Sequence, residues 1–376
     1  MGTSIGITSS ASLYYSCQRR AFYVNGRHWI FLSNGTNIVY TSSTDGVTWD
    51  SATTVRSGTA TRYISCCHDG TYFHYVYGAD SVSSLYYRRG TLDSGGGITW
   101  SAVEQTITLG TTAEAPQATI CVDSGGYAFV IYVAGVSGSS TAYPTAMKNA
   151  NTDGTWSNAA SYPVTLKATS STAWEVGCLI VGGKPLAMYG TNQGSLLAKL
   201  YDSGITWGSE ETATQGTHYL EYGYTWSAGV DSSDYVYVAY TCYSDRDVYV
   251  LTRNPGTGTW SESSALETST AATNQCQIAV LPNGDLWVFL EEYPSADNLY
   301  YKKRVSGSWD GSWTSFTTET NMRDTGRIAC TNDVKNGKID IYYQAGSGSP
   351  YTHYFAGTTV SGEETASTIY MNYLRF

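Results

Sequence analysis

Apolar and polar residues alternate along this chain in short runs, separated by Gly, Asn and Asp breaks. His28–Ser33, Tyr72–Gly78, Tyr127–Val133, Tyr235–Thr241 and Leu286–Glu292 are aromatic or aliphatic at every second position or throughout. A period of two, or a brief apolar run bounded by turn residues, predicts β-strands. Each of these runs follows a smaller-residue one: Ala21–Gly26, Ile64–Gly70, Ala118–Gly126, Ser227–Asp234 and Gln277–Gly284. Asn25-Gly26, Asp69-Gly70, Asn283-Gly284 and Asn336-Gly337 mark hairpins, because Asn, Asp and Gly tolerate the positive φ that tight β-turns demand. A third run pairs Tyr with basic residues, as in Ser84–Arg89 and Asn298–Arg304. A Gly- and Trp-containing turn and a polar, Thr-rich run complete the set.

The set repeats. Trp49, Trp100, Trp156, Trp207, Trp260 and Trp313 each close such a turn, with spacings of 51, 56, 51, 53 and 53 residues. A chain of 376 residues therefore holds roughly seven units, in the period range of propeller blades. The expected fold is all-β, a seven-bladed β-propeller of four-stranded antiparallel blades, with six blades as the alternative. The units fall near 17–60, 61–112, 113–170, 171–220, 221–272, 273–322 and 323–376 of a single domain. The seventh has no Trp turn, so its outer strand must come from 4–10 or from 367–376.

Composition agrees with this pattern. Tyr numbers 33, Trp 11 and Gly 39, charged residues make up 14%, and helix-favouring windows are missing. The formal net charge of −10 excludes a nucleic-acid partner, which needs a basic face. No apolar run is long enough to insert in a membrane. Met1–Gly6 lacks the basic and apolar stretches of a signal peptide, although a chain already trimmed of one, and so secreted, would look the same. Of 8 Cys, Cys66, Cys67, Cys121, Cys178, Cys276 and Cys330 fall on or beside first strands. These strands crowd a propeller axis, where a free thiol serves as a small apolar side chain. Unpaired thiols in this number suggest folding in a reducing compartment. No spacing points to a metal or other cofactor.

The turn Ser43-Thr44-Asp45-Gly46-Val47-Thr48-Trp49 resembles the Asp-box, or BNR repeat, of sialidase-like propellers. Weaker copies end at Trp100, at Trp156 (with Asp153) and at Trp207, and Trp260 and Trp313 close further Gly-containing turns. The resemblance covers most of the chain. It implies a structural part for Asp45, Asp153 and the six Trp, on the face opposite the usual ligand site.

That site would be framed by the first-strand entrances and the second-to-third loops. These carry Arg20, Arg62, Trp174, Glu175, His218, Glu221, Tyr222, Arg246, Glu291, Arg323 and Arg327. Aromatic faces that stack on C–H surfaces, with Arg to grip a carboxylate, suit a carbohydrate partner. By resemblance to sialidases, Arg20, Arg62 and Arg327 would form an arginine triad, with Glu221 or Glu175 beside Tyr222. Resemblance to polysaccharide lyases of BNR type would instead favour His68 and His74 with Tyr87 and Arg88. Neither set is complete: sialidases have six blades, and His68 and His74 straddle a hairpin. Glycan binding is therefore favoured over cleavage of acidic sugars. The Gly/Ser/Thr/Tyr-rich, Lys-poor composition also resembles virion receptor-binding proteins. That leaves homo-oligomer or virion assembly, and a structural or protein-interaction virion role, as further expectations.

Overall fold

The computed structural model describes residues 2–9, 19–58, 64–78, 82–113, 115–135, 142–171, 174–221, 225–266, 275–291, 299–316, 328–330, 334, 337–346 and 350–360. They form seven small antiparallel sheets arranged as a ring, a seven-bladed β-propeller without helix among the described residues. From the axis outwards, blade 1 is Ala21–Val24, Arg27–Ser33, Ile38–Ser43 and Thr53–Arg56. Blade 2 is Ile64–His68, Phe73–Tyr77, Val82–Leu92 and Gln105–Ala113, and blade 3 is Ala115–Val122, Ala128–Gly135, Ala142–Lys148 and Val164–Thr165. The inner three strands of blade 4 are Trp174–Val181, Lys184–Thr191 and Leu196–Ser203. Those of blade 5 are Trp226–Val230, Val236–Thr241 and Val248–Arg253, and those of blade 6 are Gln275–Val280, Leu286–Glu291 and Leu299–Val305. Outer strands in blades 4 to 6 are only two or three residues long. Short, polar edges of this kind resist pairing with other chains.

Blade 7 combines Ala329–Cys330, Lys338–Ala345 and Tyr351–Thr359 with the amino-terminal strand Thr3–Ser9 outermost. Thr3 lies opposite Phe355 and Ser9 opposite Tyr351. Ile5 and Ile7 are buried while Ser4 and Thr8 are exposed, so this strand turns one apolar face inward. Ile5 and Ile7 join a cluster with Ile30, Leu32 and Val39 of blade 1 and Tyr342 and Phe355 of blade 7. The amino terminus thus closes the ring. The other closing segment expected, 367–376, lies outside the described residues.

The core lies between blades rather than within one layer. Each apolar cluster spans at least one junction, for example Phe31 and Tyr40 of blade 1 with Phe73 and Tyr75 of blade 2. The Trp turns add a second tie. Most of them dock on the blade before their own: Trp49 meets Phe355 edge-on at 5.0 Å, Trp156 meets Tyr87 at 5.0 Å and Trp207 meets Phe129 at 6.4 Å. Trp100 packs in the cluster shared by blades 1 and 2. Trp260 donates to Glu211 of blade 4 (2.8 Å) and Trp313 to the Leu266 carbonyl of blade 5 (3.1 Å).

The turn at Asp45 is held by its own side chains. Asp45 Oδ1 accepts from the N–H of Val47 (2.8 Å), the N–H of Thr48 (2.7 Å) and Ser43 Oγ (2.9 Å). These bonds hold the Asp45 carboxyl down at about 2. Asp153 repeats the device on the Thr155 N–H at 2.9 Å. Gly46 has φ +72°, and a Cβ there would lie 2.7 Å from the Phe355 ring. The seven described cysteines form no disulfide and are buried, six of them on inner strands, and burial pushes the Cys276 thiol up to about 12. Among the described residues no helix is long and apolar enough to cross a membrane, and no group of His, Cys, Asp and Glu is placed to hold a metal.

Two outcomes follow for stability. Gly46→Ala strains the backbone and pushes into Phe355, so it should cost about 2 kcal/mol in chemical denaturation; no change would mean that the turn does not bear on blade 7. Asp45 is more acidic folded than unfolded, so its contribution is present above the ordinary carboxyl value of 3.8 and is lost as pH falls towards 2. Asp45→Asn should therefore flatten the loss of thermal stability between those pH values, which a scan of melting temperature against pH would show.

Candidate functional site

In each blade the first-to-second hairpin and the Trp turn leave at one end, here called the turn face. The connection between blades and the second-to-third hairpin leave at the other, the entrance face. The connection from blade 4 to blade 5 is the best-built feature of the entrance face among the described residues. Leu220 donates to the Gly194 carbonyl (2.9 Å) and its own carbonyl accepts from Gln193 N–H (2.9 Å). Glu221 N–H donates to Thr241 (2.9 Å) and the Tyr219 carbonyl accepts from Tyr243 (2.8 Å). This segment is therefore sewn between the second-to-third hairpins of blades 4 and 5. The Leu220 side chain anchors it, fully buried. Gly190 leaves the space, since a Cβ there would be 2.4 Å from Leu220.

With Leu220 turned inward, the flanking side chains gather over blade 5. Tyr219 is 37% exposed and Tyr243 is 36% exposed, two of the few large side chains left open to solvent. Arg246 lies in the hairpin loop at φ +68°, a left-handed conformation rare for a branched-free but Cβ-bearing residue. It pairs with the buried carboxylate of Glu221, and its guanidinium stands 5.2 Å from the centre of the Tyr243 ring, within cation–π range.

Beside them, His218 Nδ1 is 2.6 Å from Glu262 Oε2 and Nε2 is 3.7 Å from Asp245 Oδ2. The imidazole lies 4.5 Å from the Tyr249 ring. Tyr249 donates to Asp245 (2.8 Å) and Tyr240 to Glu262 (2.5 Å). Burial, then these carboxylate acceptors, pushes both phenols above their usual range, so both stay protonated donors at neutral pH. Burial raises Asp245, but the Tyr249 hydroxyl, the Asp247 N–H and the charge of His218 outweigh it, and the carboxyl ends below its ordinary value.

The His218–Glu262–Tyr240 unit has counterparts. In blade 2, Tyr75 donates to Glu104 (2.6 Å), which pairs with Arg56 of blade 1. In blade 4, Tyr189 donates to Glu210 (2.9 Å), which pairs with Lys167 (2.5 Å) after blade 3. A Tyr on the second strand, a Glu after the Trp turn and an Arg, Lys or His from before the blade thus recur at three junctions. At the blade 4/5 junction the unit is surrounded by exposed rings and a second ion pair.

The structure brings His218, Glu221 and Arg246 together as one surface. Trp174 and Glu175 begin the inner strand of blade 4 and are buried, Trp174 meeting Tyr189 edge-on at 5.8 Å. Arg20 is 2% exposed and belongs to the interior, where its charge acts on Tyr342 and His353 of blade 7. Tyr342 Oη bonds His353 Nδ1, and Gln344 lies 3.1 Å from its Nε2. Burial first, then Arg20, drops the imidazole to about 3, so His353 is neutral. Glu291 ends the second strand of blade 6. Its side chain, and Arg62, Tyr222, Arg323 and Arg327, lie outside the described residues.

His68 and His74 lie towards the turn face. His74 is fixed between Tyr87 Oη (3.0 Å) and Asp69 Oδ2 (2.9 Å), and His68 Nδ1 accepts from the Gly70 N–H at 3.2 Å. Tyr87 and Arg88 are adjacent in a strand and so leave opposite sheet faces; Arg88 lies 4.2 Å over the Trp100 ring. These four therefore do not converge on one point. Sequence reasoning missed Tyr243, Tyr249 and Glu262. A signal existed in the Glu that recurs after Trp100, Trp207 and Trp260.

No family model and no curated protein matches the chain. Solved structures do. The BP39L lectin from Burkholderia pseudomallei aligns with a TM-score of 0.66 at 12% identity, over 93% of this chain and 98% of the lectin. Polysaccharide lyase Uly1 aligns at 0.52 and 9% identity, over 91% and 90%. A fungal alcohol oxidase of the AA5 family in complex with copper aligns at 0.54 and 13% identity, over 93% of this chain and 75% of the oxidase. At these identities the similarity is one of fold.

Proposed function

We propose that this chain is a carbohydrate-recognising propeller and that the blade 4/5 surface of its entrance face takes a sugar ring. The observation that carries this reading is the exposed pair Tyr219 and Tyr243 flanking Arg246, whose guanidinium is held in place by buried Glu221. Aromatic rings offer flat apolar area to the C–H face of a sugar, while Arg246, His218 and Asp245 supply donors and an acceptor for its hydroxyls. Holding the polar groups by Glu221, Glu262 and Tyr249 lowers the ordering cost of binding. A lectin and a polysaccharide lyase among the structures of similar fold agree with carbohydrate as the ligand class.

Binding is favoured over turnover by the state of the carboxylates. Glu221 is paired with Arg246, Glu262 with His218 and Tyr240, and Asp245 with Tyr249. The phenols are raised rather than lowered, which opposes a tyrosinate nucleophile or base. A glycan-binding role suits an adhesin or a virion receptor-binding protein.

A glycan array followed by titration of the best ligand tests the proposal. Tyr243→Ala and Tyr219→Ala should each weaken binding about tenfold, near 1.4 kcal/mol, with unchanged melting temperature. Unaltered affinity in both would move the site elsewhere. Release of unsaturated or reducing ends from uronic- or sialic-acid polymers would overturn the binding-only reading. Arg246→Ala behaves differently, because it strands Glu221 inside the protein. It should destabilise by about 3 kcal/mol, and Glu221→Gln in the same chain should restore much of this in thermal unfolding.

A further inference from the structure

The turn face holds a cavity that the entrance-face reading does not use. It measures about 420 Å³ and lies at the junction of blades 7 and 1. Its walls come from the start of a second strand (Lys338, Asp340), the end of a third strand (Phe355 to Thr358) and the turn of the next blade (Asp45 to Val47), with His28 and Phe316 beside them. A cavity of about 440 Å³ occupies the corresponding place at the junction of blades 4 and 5. There Lys184 stands where Lys338 does, Tyr201 and Asp202 end the third strand, and Pro255 to Gly258 form the next turn. The space is thus a product of the repeat: at both junctions the turn of one blade docks on the preceding blade and leaves a recess beneath its tip.

The two recesses differ in chemistry. At the blade 4/5 junction the main charged wall is closed on itself, since Arg253 grips Glu211 through two bonds of 2.7 Å. At the blade 7/1 junction the wall is a buried His28–Asp340 pair, 2.6 Å apart, with the Lys338 ammonium nearby. The Phe355 ring stands edge-on to His28 at 5.0 Å and, with Phe316, gives the recess an aromatic side. Thr3 and Thr358 contribute hydroxyls. Gly357 keeps the mouth open, because a Cβ there would press on Phe355 at 3.0 Å and on Asp340 at 3.3 Å.

We propose that the recess between blades 7 and 1 is a second ligand site, one that accepts a single neutral sugar unit on the face opposite the blade 4/5 surface. Its volume is in the range of small-ligand clefts, and polar side chains stand beside an aromatic wall. Lys338 on one side and Asp340 and Asp45 on the other give it side chains of both signs, which favours a neutral hydroxylated ring over an acidic or basic ligand. The two sites lie at opposite ends of the strands, so one chain could engage two glycans at once and gain avidity from modest individual affinities.

Saturation-transfer NMR on the full chain with free neutral hexoses, 6-deoxyhexoses and N-acetylhexosamines is the test. At least one should receive transfer from the wild type. Lys338→Ala should weaken it about tenfold, and Thr358→Trp, which fills the recess without removing a charged group, should abolish it. Tyr243→Ala should leave this signal intact while weakening the array ligand, so the two sites fail separately. Circular dichroism and melting temperature check folding, and Lys338→Ala decides the matter where Thr358→Trp does not fold. No transfer from any neutral sugar, transfer equal to wild type in Lys338→Ala, or loss in Tyr243→Ala alone would each overturn the proposal.

Discussion

A four-stranded blade has two apolar faces and no second layer of its own, so it is stable only when both faces are covered by its neighbours. Everything else in this protein follows from that constraint. The apolar clusters sit across junctions because a junction is the one place where two such faces meet. The ring must also close, or its first and last blades would each leave a face in water. Closure is achieved by the strand Thr3–Ser9, whose backbone completes blade 7 while Ile5 and Ile7 pack towards blade 1. His28 and Asp340 tie the same junction, and the turn of blade 1 docks there through Trp49 and Phe355.

The same constraint separates the two faces of the disc. On the turn face much of the chemistry is repetitive, because the Trp turns of six blades share one form. Asp45 and Asp153 satisfy backbone N–H groups in their own turns. On the entrance face no such form is repeated, and the segments that lead into each blade differ in length and residue type. Distinctive chemistry can accumulate there, as it does where 218–221 is sewn between two hairpins.

The repeat was legible for a physical reason. A period-two pattern and the Gly and Trp of each turn are local properties of the chain, so the seven blades and the burial of the first-strand thiols could be read directly. Ring closure could not, since either end of the chain offered a strand and the choice depends on where Ile5 and Ile7 can be buried. Of the residues expected at the entrance face, His218, Glu221 and Arg246 lie together at the blade 4/5 junction, and charged and aromatic residues at first-strand entrances and second-to-third loops are conspicuous in the sequence. Arg20, Trp174 and Glu175 occupy the same kind of position yet are buried. Whether such a residue turns outward is set by packing across the junction, which no local pattern records. Tyr243 and Glu262 were missed for the converse reason: their role exists only once two strands and a connection from the preceding blade come together.

The recurring unit of a Tyr, a Glu and a basic side chain links the cohesion of the ring to the blade 4/5 surface. At the junctions of blades 1/2 and 3/4 it joins neighbouring blades through a half-buried ion pair and a phenol. At blades 4/5 a His stands where the other junctions have Arg or Lys, and it arrives on a segment that also carries Tyr219 and Glu221. A unit that elsewhere serves cohesion has there become the support of an exposed surface. Repetition makes this step accessible: six junctions already hold the ring together, so one can acquire exposed rings and a strained Arg without loss of the fold. The same reasoning applies to the recess beneath the blade 1 turn, where a space left by the repeat at more than one junction has different walls at each.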